Sequence, residues 1–403
     1  MSSEISPSSA VDPTDSSTQA GLLPDLFASL RRWPDVEADN LFAADAADRL
    51  ILDTCAAASP GQPGTAQWPQ SIAIIGDHYG ALALGALALG STQVRVHTDS
   101  LTARRAIEAN LDRLLPQAAE HLSFHPLAEV AEQASTILLA LPRGLDVLGE
   151  QVAAVAAAAD PGATLFAGGR IKHMSRGMNE VLSAHFTQLD VSLARQKSRV
   201  LTASIPRAEQ PASNFPATAT HQVSHTAFTL VAGAGTFGAA RLDPGTRLLL
   251  ENLPDLTAHD TLIDLACGNG SIGIFAALQY PSLRVHASDH SASAVASTLA
   301  AAQRNDLGQR ISAVQDDALS RLPAQSATLI TLNPPFHIGN TVTADIAFKL
   351  IDDAARVLAP GGTLLCVFNS HLRYRSELAR RIGPTTQLAR DKTFTVTAST
   401  RAQ

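Results

Sequence analysis

The chain has 403 residues, which predicts two or three domains because single domains usually take about 100 to 200 residues. Hydrophobic residues make up 45% and charged residues 17%, a composition typical of globular proteins that excludes a disordered or fibrous chain. The longest apolar runs, such as 152–159, are too short to cross a bilayer, so no membrane association is expected. Three cysteines without CxxC spacing support neither a disulfide framework nor a zinc cluster, so no metal is expected.

The N-terminal region carries the net charge of the chain. Residues 1–20 are rich in Ser and Pro and lack the pattern of a signal peptide, which predicts a disordered leader and a cytoplasmic protein. Residues 1–60 contain ten acidic residues against three arginines, so they account for the whole net charge of −7. The remainder is balanced, and the overall charge therefore does not exclude a nucleic-acid partner. An acidic helical segment at about 22–58 is expected to pack on the first sheet.

The sequence contains an internal repeat with a spacing of about 190 residues. In each copy an apolar strand enters a glycine-containing turn and an apolar helix, and a second strand ends in Asp. The matched segments are 71–80 with 261–270, 94–99 with 284–289, 137–142 with 329–334, and 161–166 with 360–365. Four landmarks in the same order indicate a duplicated fold.

The alternation of strands and helices predicts two tandem doubly wound α/β domains. Strands separated by helical patterns of about 10 to 15 residues form βαβ units, which build parallel sheets covered by helices on both faces. The segment 204–216 contains three prolines and reads as the linker. We therefore predict an N-terminal domain at 21–215 and a C-terminal domain at 216–403.

Basic residues cluster in two regions of the chain. Such clusters are either solvated faces or surfaces that contact phosphates. The candidates for RNA contact are Arg170, Lys172, Arg195, Lys197 and Arg199 in the first region and Arg373 and Arg375 in the second.

The glycine turn of the second copy, 264–270, is the first candidate site. Ligands of open parallel sheets bind outside the carboxyl ends of the strands. Gly268 and Gly270 allow a ligand to approach the backbone, and their spacing is shared by dinucleotide-binding turns and by methyltransferases that use S-adenosylmethionine. Asp289 ends the next strand, where its carboxylate can accept hydrogen bonds from both ribose hydroxyls of either cofactor.

The segment Asn333-Pro334-Pro335-Phe336 decides between these two cofactors. It follows the apolar strand 328–332, at the edge of the sheet that carries the glycine turn. A dehydrogenase has no use for it, whereas an amine with a delocalised lone pair must be oriented before it can accept a methyl group. The Asn333 side-chain oxygen and the Pro334 carbonyl are two acceptors for the amine hydrogens, and the prolines fix their geometry. Phe336 offers a flat face for stacking. All four residues are candidate catalytic residues for methyl transfer to nitrogen.

Further polar residues are expected at the cofactor site. Asp317 follows a strand and either accepts from the adenine amino group or lies in an exposed turn. Asp264 either holds the cofactor's ammonium group or braces the glycine turn. His337 is interpreted as a residue at the edge of the site, because the amine needs no strong base. The expected cofactor contacts are Asp264, Ala266, Gly268, Gly270, Asp289, His290, Asp317 and Asn333.

The N-terminal copy lacks the reactive groups of the second. His78 stands at the position of Gly268, and Leu141 stands at the position of Asn333. The acceptor side chain is absent and the glycine is replaced, so this copy is expected to keep the fold without catalysis. Positioning of the substrate or contact with RNA would remain as its role.

The motifs 264–273, Asp289 and 333–337 resemble those of the bacterial ribosomal RNA guanine-N2 methyltransferases with tandem methyltransferase-like domains. Segment 236–249 is similar to the one that this family carries before its first catalytic strand. The family usually starts that segment with Phe-Ser-Arg, which here reads Phe237-Gly-Ala. The segments 369–372 and 166–170 are closer to the large-subunit enzyme than to the small-subunit enzyme.

The resemblance implies two class I (Rossmann-like) methyltransferase domains, of which the N-terminal one is degenerate and aids RNA binding. It implies methylation of the exocyclic N2 amine of a guanine in ribosomal RNA with S-adenosylmethionine and without a metal. The partner would be ribosomal RNA or a ribosomal subunit. Arg241 and Asp243 would border the pocket.

Two other functions remain open at this point. The same Asn-Pro-Pro-aromatic segment serves methylation of a protein glutamine amide or of an adenine amine, although the duplication and the basic clusters favour RNA. The chain could also be a non-catalytic RNA-binding relic. The intact Asp264, Gly268, Gly270, Asp289 and Asn333 argue against a relic.

Overall fold

The computed structural model describes residues 16–58, 68–335 and 341–402. Two seven-stranded sheets lie at 71–206 and 261–400, joined through a hairpin. The first sheet contains β1 Ser71–Ile75, β2 Gln93–His97, β3 Leu122–Phe124, β4 Thr136–Ala140, β5 Thr164–Arg170, β6 Phe186–Val191 and β7 Ser198–Pro206. The hairpin consists of β8 Ala217–Val223 and β9 Thr226–Ala232. The second sheet contains β10 Thr261–Leu265, β11 Arg284–Asp289, β12 Ile311–Gln315, β13 Ala327–Leu332, β14 Leu358–Asn369, β15 Thr385–Arg390 and β16 Phe394–Thr400.

The two sheets have the same topology. Their strand orders are β3-β2-β1-β4-β5-β7-β6 and β12-β11-β10-β13-β14-β16-β15. The first five strands of each order are parallel, and β7 and β16 run antiparallel to their neighbours. This architecture confirms the prediction of two tandem doubly wound α/β units.

Helices cover both faces of each sheet, which explains why the central strands are mostly apolar. In the first copy they are α1 Ser16–Ser29, α2 Ala46–Ala58, α3 Ala81–Ala88, α4 Leu101–Leu114, α5 Leu127–Val130, α6 Leu145–Ala158 and α7 Arg176–His185. In the second they are α8 Pro244–Glu251, α9 Ser271–Gln279, α10 Ala292–Arg304, α11 Thr341–Val357 and α12 Arg375–Arg381. Each sheet therefore separates two apolar cores. In the part of the chain that the structure describes, no helix combines the length and apolar character needed to span a membrane.

Helix α1 overlaps the segment that the sequence predicted as a disordered leader. Helix α1 begins at Ser16, so the prediction of a disordered leader through residue 20 is wrong for its last five residues, and residues 1–15 lie outside the described ranges. Leu23, Leu26 and Leu30 are buried in the core that α1 shares with α3. This tertiary packing holds a helix whose first turn is too polar to be recognised by composition.

The hairpin β8–β9 belongs to the second core. Phe228 of β9 packs edge-on against Phe275 of α9, and their ring centroids are 5.9 Å apart. Residues 207–216, between β7 and β8, form neither helix nor strand. A division of the chain near residue 215 stays our proposal for the domain boundary.

The two copies meet through the turns that follow their second strands. Asp99 occupies the repeat position of Asp289, but its carboxylate faces the other copy. Its two oxygens accept hydrogen bonds from the Ser291 hydroxyl at 2.6 Å and from the Ser293 backbone N–H at 2.7 Å. The negative charge thereby caps the N-terminus of α10, where the helix dipole favours an anion. The first copy thus supports the helix that follows β11 in the second copy.

Candidate functional site

A cleft of about 540 Å³ lies at the carboxyl ends of β10, β11 and β13. Residues of both copies line it, including His78 and Asp99 from the first copy. The cleft brings together nine residues that the sequence or the family resemblance singled out: Asp243, Ala266, Gly268, Asp289, His290, Asp317, Asn333, Pro334 and Pro335. Phe336 and His337 lie outside the described residues, so the structure gives no account of their predicted roles.

The two glycines of the turn serve different purposes. Gly268 has φ +56°, and a Cβ added there would meet nothing within 4 Å. The open space in front of Gly268 lets a ligand reach the backbone, as a cofactor seated at this turn requires. Gly270 has φ +75° and precedes α9, and a Cβ there would lie 2.9 Å from the Thr298 side chain. Gly270 is not part of the cleft wall and packs at the helix start, and its predicted contact with the cofactor stays a prediction.

Asp264 braces the glycine turn from beneath. Its side chain is 1% exposed and is absent from the cleft wall. The carboxylate accepts hydrogen bonds from the Gly273 N–H at 3.1 Å and from the Thr331 hydroxyl at 2.9 Å. Burial raises the pKa of Asp264 to about 7. Of the two roles that the sequence left open, the geometry supports bracing, and a direct contact with the cofactor stays a prediction.

Asp289 joins the strand end to the glycine turn. One carboxylate oxygen accepts from the Gly268 N–H at 2.9 Å, and the other accepts from the Ser291 N–H at 3.0 Å. A carboxylate has about four acceptor positions, so the oxygen bonded to Gly268 keeps a lone pair for a ligand, whereas the second position of the other oxygen faces the His290 Nδ1. The fixed carboxylate and the open glycine fit the ribose and the backbone approach of a nucleoside cofactor.

His290 is predicted to make stability depend on pH. Its Nδ1 lies 3.3 Å from the Asp289 carboxylate, and this hydrogen bond raises the pKa of His290, assisted by the charges of Asp289, Asp99 and Asp317. A pKa that is higher in the folded state adds to the free energy of unfolding, and this gain is complete when the pH is below the pKa of the unfolded state, about 6.5. The gain is lost as the pH rises through the pKa of the folded state. The free energy of unfolding should therefore be higher for the wild type than for His290→Gln, and this difference should be largest at acidic pH. Urea titrations across neutrality would show this difference shrink as pH rises, and a constant difference would contradict it.

Asp317 is the acid that faces the cleft after β12. Its carboxylate lies 2.5 Å from the Lys349 Nζ and 3.4 Å from the Arg105 guanidinium of the first copy. Asp316 beside it is buried and accepts from the Ser320 hydroxyl and the Arg321 N–H. Contact of Asp317 with an adenine amino group stays a prediction.

Asn333 presents an unused acceptor at the end of β13. Its side-chain NH₂ donates to the Asp243 carboxylate at 3.1 Å and to the Thr246 hydroxyl at 2.9 Å. Its side-chain oxygen is buried and has no hydrogen-bond partner among the described residues. An unpaired buried acceptor costs about 1–3 kcal/mol, which favours a site that a ligand's donor completes. The sequence pattern identified Asn333 and, through the family resemblance, Asp243. It missed Thr246. The Asp-Pro-Gly-Thr segment at the start of α8 could have indicated this residue, because it is typical of a helix N-terminus.

An aromatic side chain lies exposed on the cleft. Phe237 is 61% exposed and lines the wall together with Asn333 and Pro335. Large exposed aromatic rings at concave sites are typical of surfaces that stack planar ligands. Sequence reasoning assigned this role to Phe336 and noted Phe237 only as a departure from a motif.

The candidate RNA-binding residues differ in their surroundings. Lys172, Lys197 and Arg195 are exposed, as are Arg373 and Arg375 near the C-terminus. Arg195 pairs with Asp53 at 3.1 Å, and Arg170 pairs with Asp45 at 3.8 Å. The half-buried Arg199 lies on β7. Lys197 has φ +61° and ends the tight turn before β7.

Comparisons with known proteins agree with this geometry. The family model described as methyltransferase small domain matches residues 227–398, and the model described as RLMG N-terminal domain matches residues 21–207. A protein of Pseudomonas entomophila named ribosomal RNA large subunit methyltransferase G is 33% identical over 91% of this chain and 96% of its own length. A protein of the same name from Streptomyces avermitilis is 31% identical over 91% of this chain and 95% of its own.

A similar solved structure is the Thermus thermophilus 16S rRNA N2 G1207 methyltransferase in complex with AdoMet and guanosine. It superposes with a TM-score of 0.70 at 22% identity and covers 89% of this chain and 92% of its own, which supports the tandem fold. The full-length relatives and the two matched models confirm the family resemblance seen in the sequence. The chain belongs to the ribosomal RNA large subunit methyltransferase G family.

Proposed function

We propose that this protein methylates the exocyclic N2 amine of a guanine in ribosomal RNA with S-adenosylmethionine. The observation that carries the proposal is the buried, unpartnered oxygen of Asn333 in the same cleft as the open Gly268 turn. The names of the full-length relatives support ribosomal RNA as the substrate. The similar solved structure is an rRNA N2 guanine methyltransferase that holds AdoMet and guanosine, which supports guanine N2 as the acceptor.

The chemistry of the cleft is orientation of an amine. S-adenosylmethionine supplies an electrophilic methyl group when bound. The Asn333 oxygen accepts one hydrogen of the guanine amine and the Pro334 carbonyl accepts the other, which directs the nitrogen lone pair at the methyl carbon. A nitrogen–carbon bond forms as the sulfur–carbon bond breaks, and the amine then releases a proton to solvent. No strong base is needed, because the proton leaves after methyl transfer has made the nitrogen acidic.

The remaining wall residues hold the two ligands. Asp289 accepts from the ribose hydroxyls, Gly268 and Ala266 permit backbone approach, and Asp317 receives the adenine amino group. His290 borders the nucleoside. On the substrate side, Phe237 or Phe336 stacks on the guanine ring. These assignments are proposals, and the fixed contacts of Asp289 and Asn333 support them most strongly.

The first copy holds the RNA without acting on it. The carboxyl edge of its sheet carries Arg170 and, just beyond, Lys172, where the second copy carries its reactive residues. Arg195, Lys197 and Arg199 extend this surface on the β6–β7 hairpin. Arg373 and Arg375 extend the second copy. Basic side chains at these places bind phosphates through charge. We also propose a cytoplasmic location, where ribosomal RNA is available as the substrate.

Lys172→Ala is predicted to weaken RNA binding in a way that salt reveals. Lys172 is exposed and forms no ion pair within the described residues, so its charge is available to a phosphate. The slope of log affinity against log salt should fall by about 1. Filter binding to ribosomal RNA measures the slope, with Arg284→Ala as the control, because Arg284 is exposed at the amino end of β11. An unchanged slope for Lys172→Ala would remove this residue from the RNA surface.

Transfer of a tritiated methyl group tests the function. The enzyme is incubated with labelled S-adenosylmethionine and ribosomal RNA from a strain lacking the gene, and the RNA is digested to nucleosides. We expect the label in N2-methylguanosine. Label in methyladenosine or in protein would select one of the other acceptors, and no label in any substrate would favour a non-catalytic binding protein.

A further inference from the structure

Asn333 can work only if its amide faces the right way. The side-chain oxygen and nitrogen of an asparagine have nearly the same shape, and a half-turn of the amide exchanges an acceptor for a donor. An NH₂ group turned toward the cleft would meet the hydrogens of the substrate amine, donor against donor. Some feature of the protein must therefore select one orientation.

We propose that Asp243 and Thr246 are positioning residues that fix the Asn333 amide with its oxygen toward the substrate. This inference rests on the proposed function. An ionised carboxylate only accepts hydrogen bonds, so the atom facing Asp243 must be the Asn333 nitrogen. The Thr246 hydroxyl accepts the second hydrogen of the same NH₂ group at 2.9 Å. Both donors are then used, and the oxygen remains the only free polar atom of the side chain.

The clamp formed by Asp243 and Thr246 is built into the start of α8. Asp243 caps this helix by accepting from the Thr246 N–H at 2.9 Å, and Pro244 occupies the first helical position. Gly245 completes the turn, because a Cβ there would lie 2.8 Å from the Phe394 ring and 3.1 Å from the Asp243 carboxylate. The hydrogen bond from the Thr246 N–H and the close packing around Gly245 thus hold the Asp243 carboxylate in one place against Asn333.

The first copy contains the cap without the clamp. Segment 42–52 aligns with 240–250, so that Asp45 stands for Asp243 and Asp48 for Thr246. Asp45 also caps its helix, α2, but its carboxylate accepts from the Ala47 N–H two positions on, at 2.6 Å, whereas Asp243 accepts from the N–H three positions on. Leu141 replaces the asparagine in this copy, and no amide needs orienting. The cap is therefore a feature of the fold, whereas its use as a clamp belongs to the catalytic copy.

Two substitutions test the clamp at its two contacts. Thr246→Val keeps the shape and removes the acceptor, and we expect kcat to fall about tenfold, the effect of one neutral hydrogen bond. Asp243→Ala removes the selecting carboxylate, and we expect kcat to fall about a hundredfold, as for a misplaced reactive group. The KM for ribosomal RNA and the Kd for S-adenosylmethionine should stay near wild type. Thr246→Ser should recover most of kcat.

Asp45→Ala is the matched control, because it removes the equivalent cap in the copy without an asparagine. At saturating RNA it should lower Tm as Asp243→Ala does and leave kcat unchanged. The clamp is wrong if the wild type methylates the RNA and both Thr246→Val and Asp243→Ala keep kcat within about twofold of it. If Asp243→Ala does not fold, the kcat of Thr246→Val alone decides. A wild type without activity would instead overturn the proposed function. A fall in kcat with Asp45→Ala equal to that of Asp243→Ala would also reject the clamp.

Discussion

Replacing Asn333 with alanine is expected to lower kcat for methylation of ribosomal RNA by about two to three powers of ten. This is the scale seen when one positioned polar contact to a reacting group is lost. The Asn333 oxygen lies buried and unpartnered at the cleft, so no described residue is ready to replace it. Asn333→Asp should fare no better, because the new carboxylate would face the carboxylate of Asp243, which now accepts from the amide at 3.1 Å.

Single-turnover rates at saturating RNA and S-adenosylmethionine measure this effect on the chemical step. Asn252→Ala is a suitable control, since Asn252 is an exposed residue at the end of α8 and bonds only to the helix backbone. A loss that appears in the RNA KM alone would show that Asn333 binds the substrate without orienting the amine. A rate within about threefold of wild type would reject the catalytic assignment.

Replacing Asp289 with alanine is expected to weaken S-adenosylmethionine binding by about a hundredfold. Two hydrogen bonds from ribose hydroxyls to a carboxylate contribute about 3 kcal/mol together, and each 1.4 kcal/mol is a factor of ten. The substitution also releases the Gly268 and Ser291 N–H groups that Asp289 now binds, which loosens the turn. Loss of affinity rather than of maximal rate is therefore the dominant effect.

Isothermal titration with S-adenosylmethionine measures this affinity directly. Asp260→Ala is the control, because Asp260 is exposed beside the opposite, amino end of β10. Wild-type affinity in Asp289→Ala would place the cofactor elsewhere in the cleft. Unfolding curves of both variants distinguish a lost contact from a lost fold.

The fold was predictable because its signals are local. Each parallel strand is a short apolar run that ends in a polar or glycine turn, and the same run recurs after about 190 residues. Asn333 could be singled out for a chemical reason. The side-chain oxygen of an asparagine at a strand end, followed by two prolines, can accept a hydrogen bond from an amine and orient it. The positions of Gly268 and Asp289 followed from the rule that ligands bind at the carboxyl edge.

The contacts that refine the site depend on residues far apart in the chain. Asp264 is bonded to Thr331, 67 positions away, and this contact follows from the register of β10 against β13. Asp243 lies 90 positions before the asparagine that it holds. Asp99 caps a helix of the other copy, 194 positions away at Ser293. No local pattern encodes these pairs, because they arise when the two copies and their helices pack.

We propose that the Asn333 oxygen and the Pro334 carbonyl hold the two hydrogens of the amine that receives the methyl group. A crystal structure of this protein with S-adenosylhomocysteine and guanosine tests it directly. We predict the guanine N2 nitrogen at about 2.7–3.2 Å from the Asn333 oxygen, with the Asn333 NH₂ still bound to Asp243. An Asn333 side chain turned away from the guanine, or a guanine that offers another edge to the cofactor sulfur, would contradict the account.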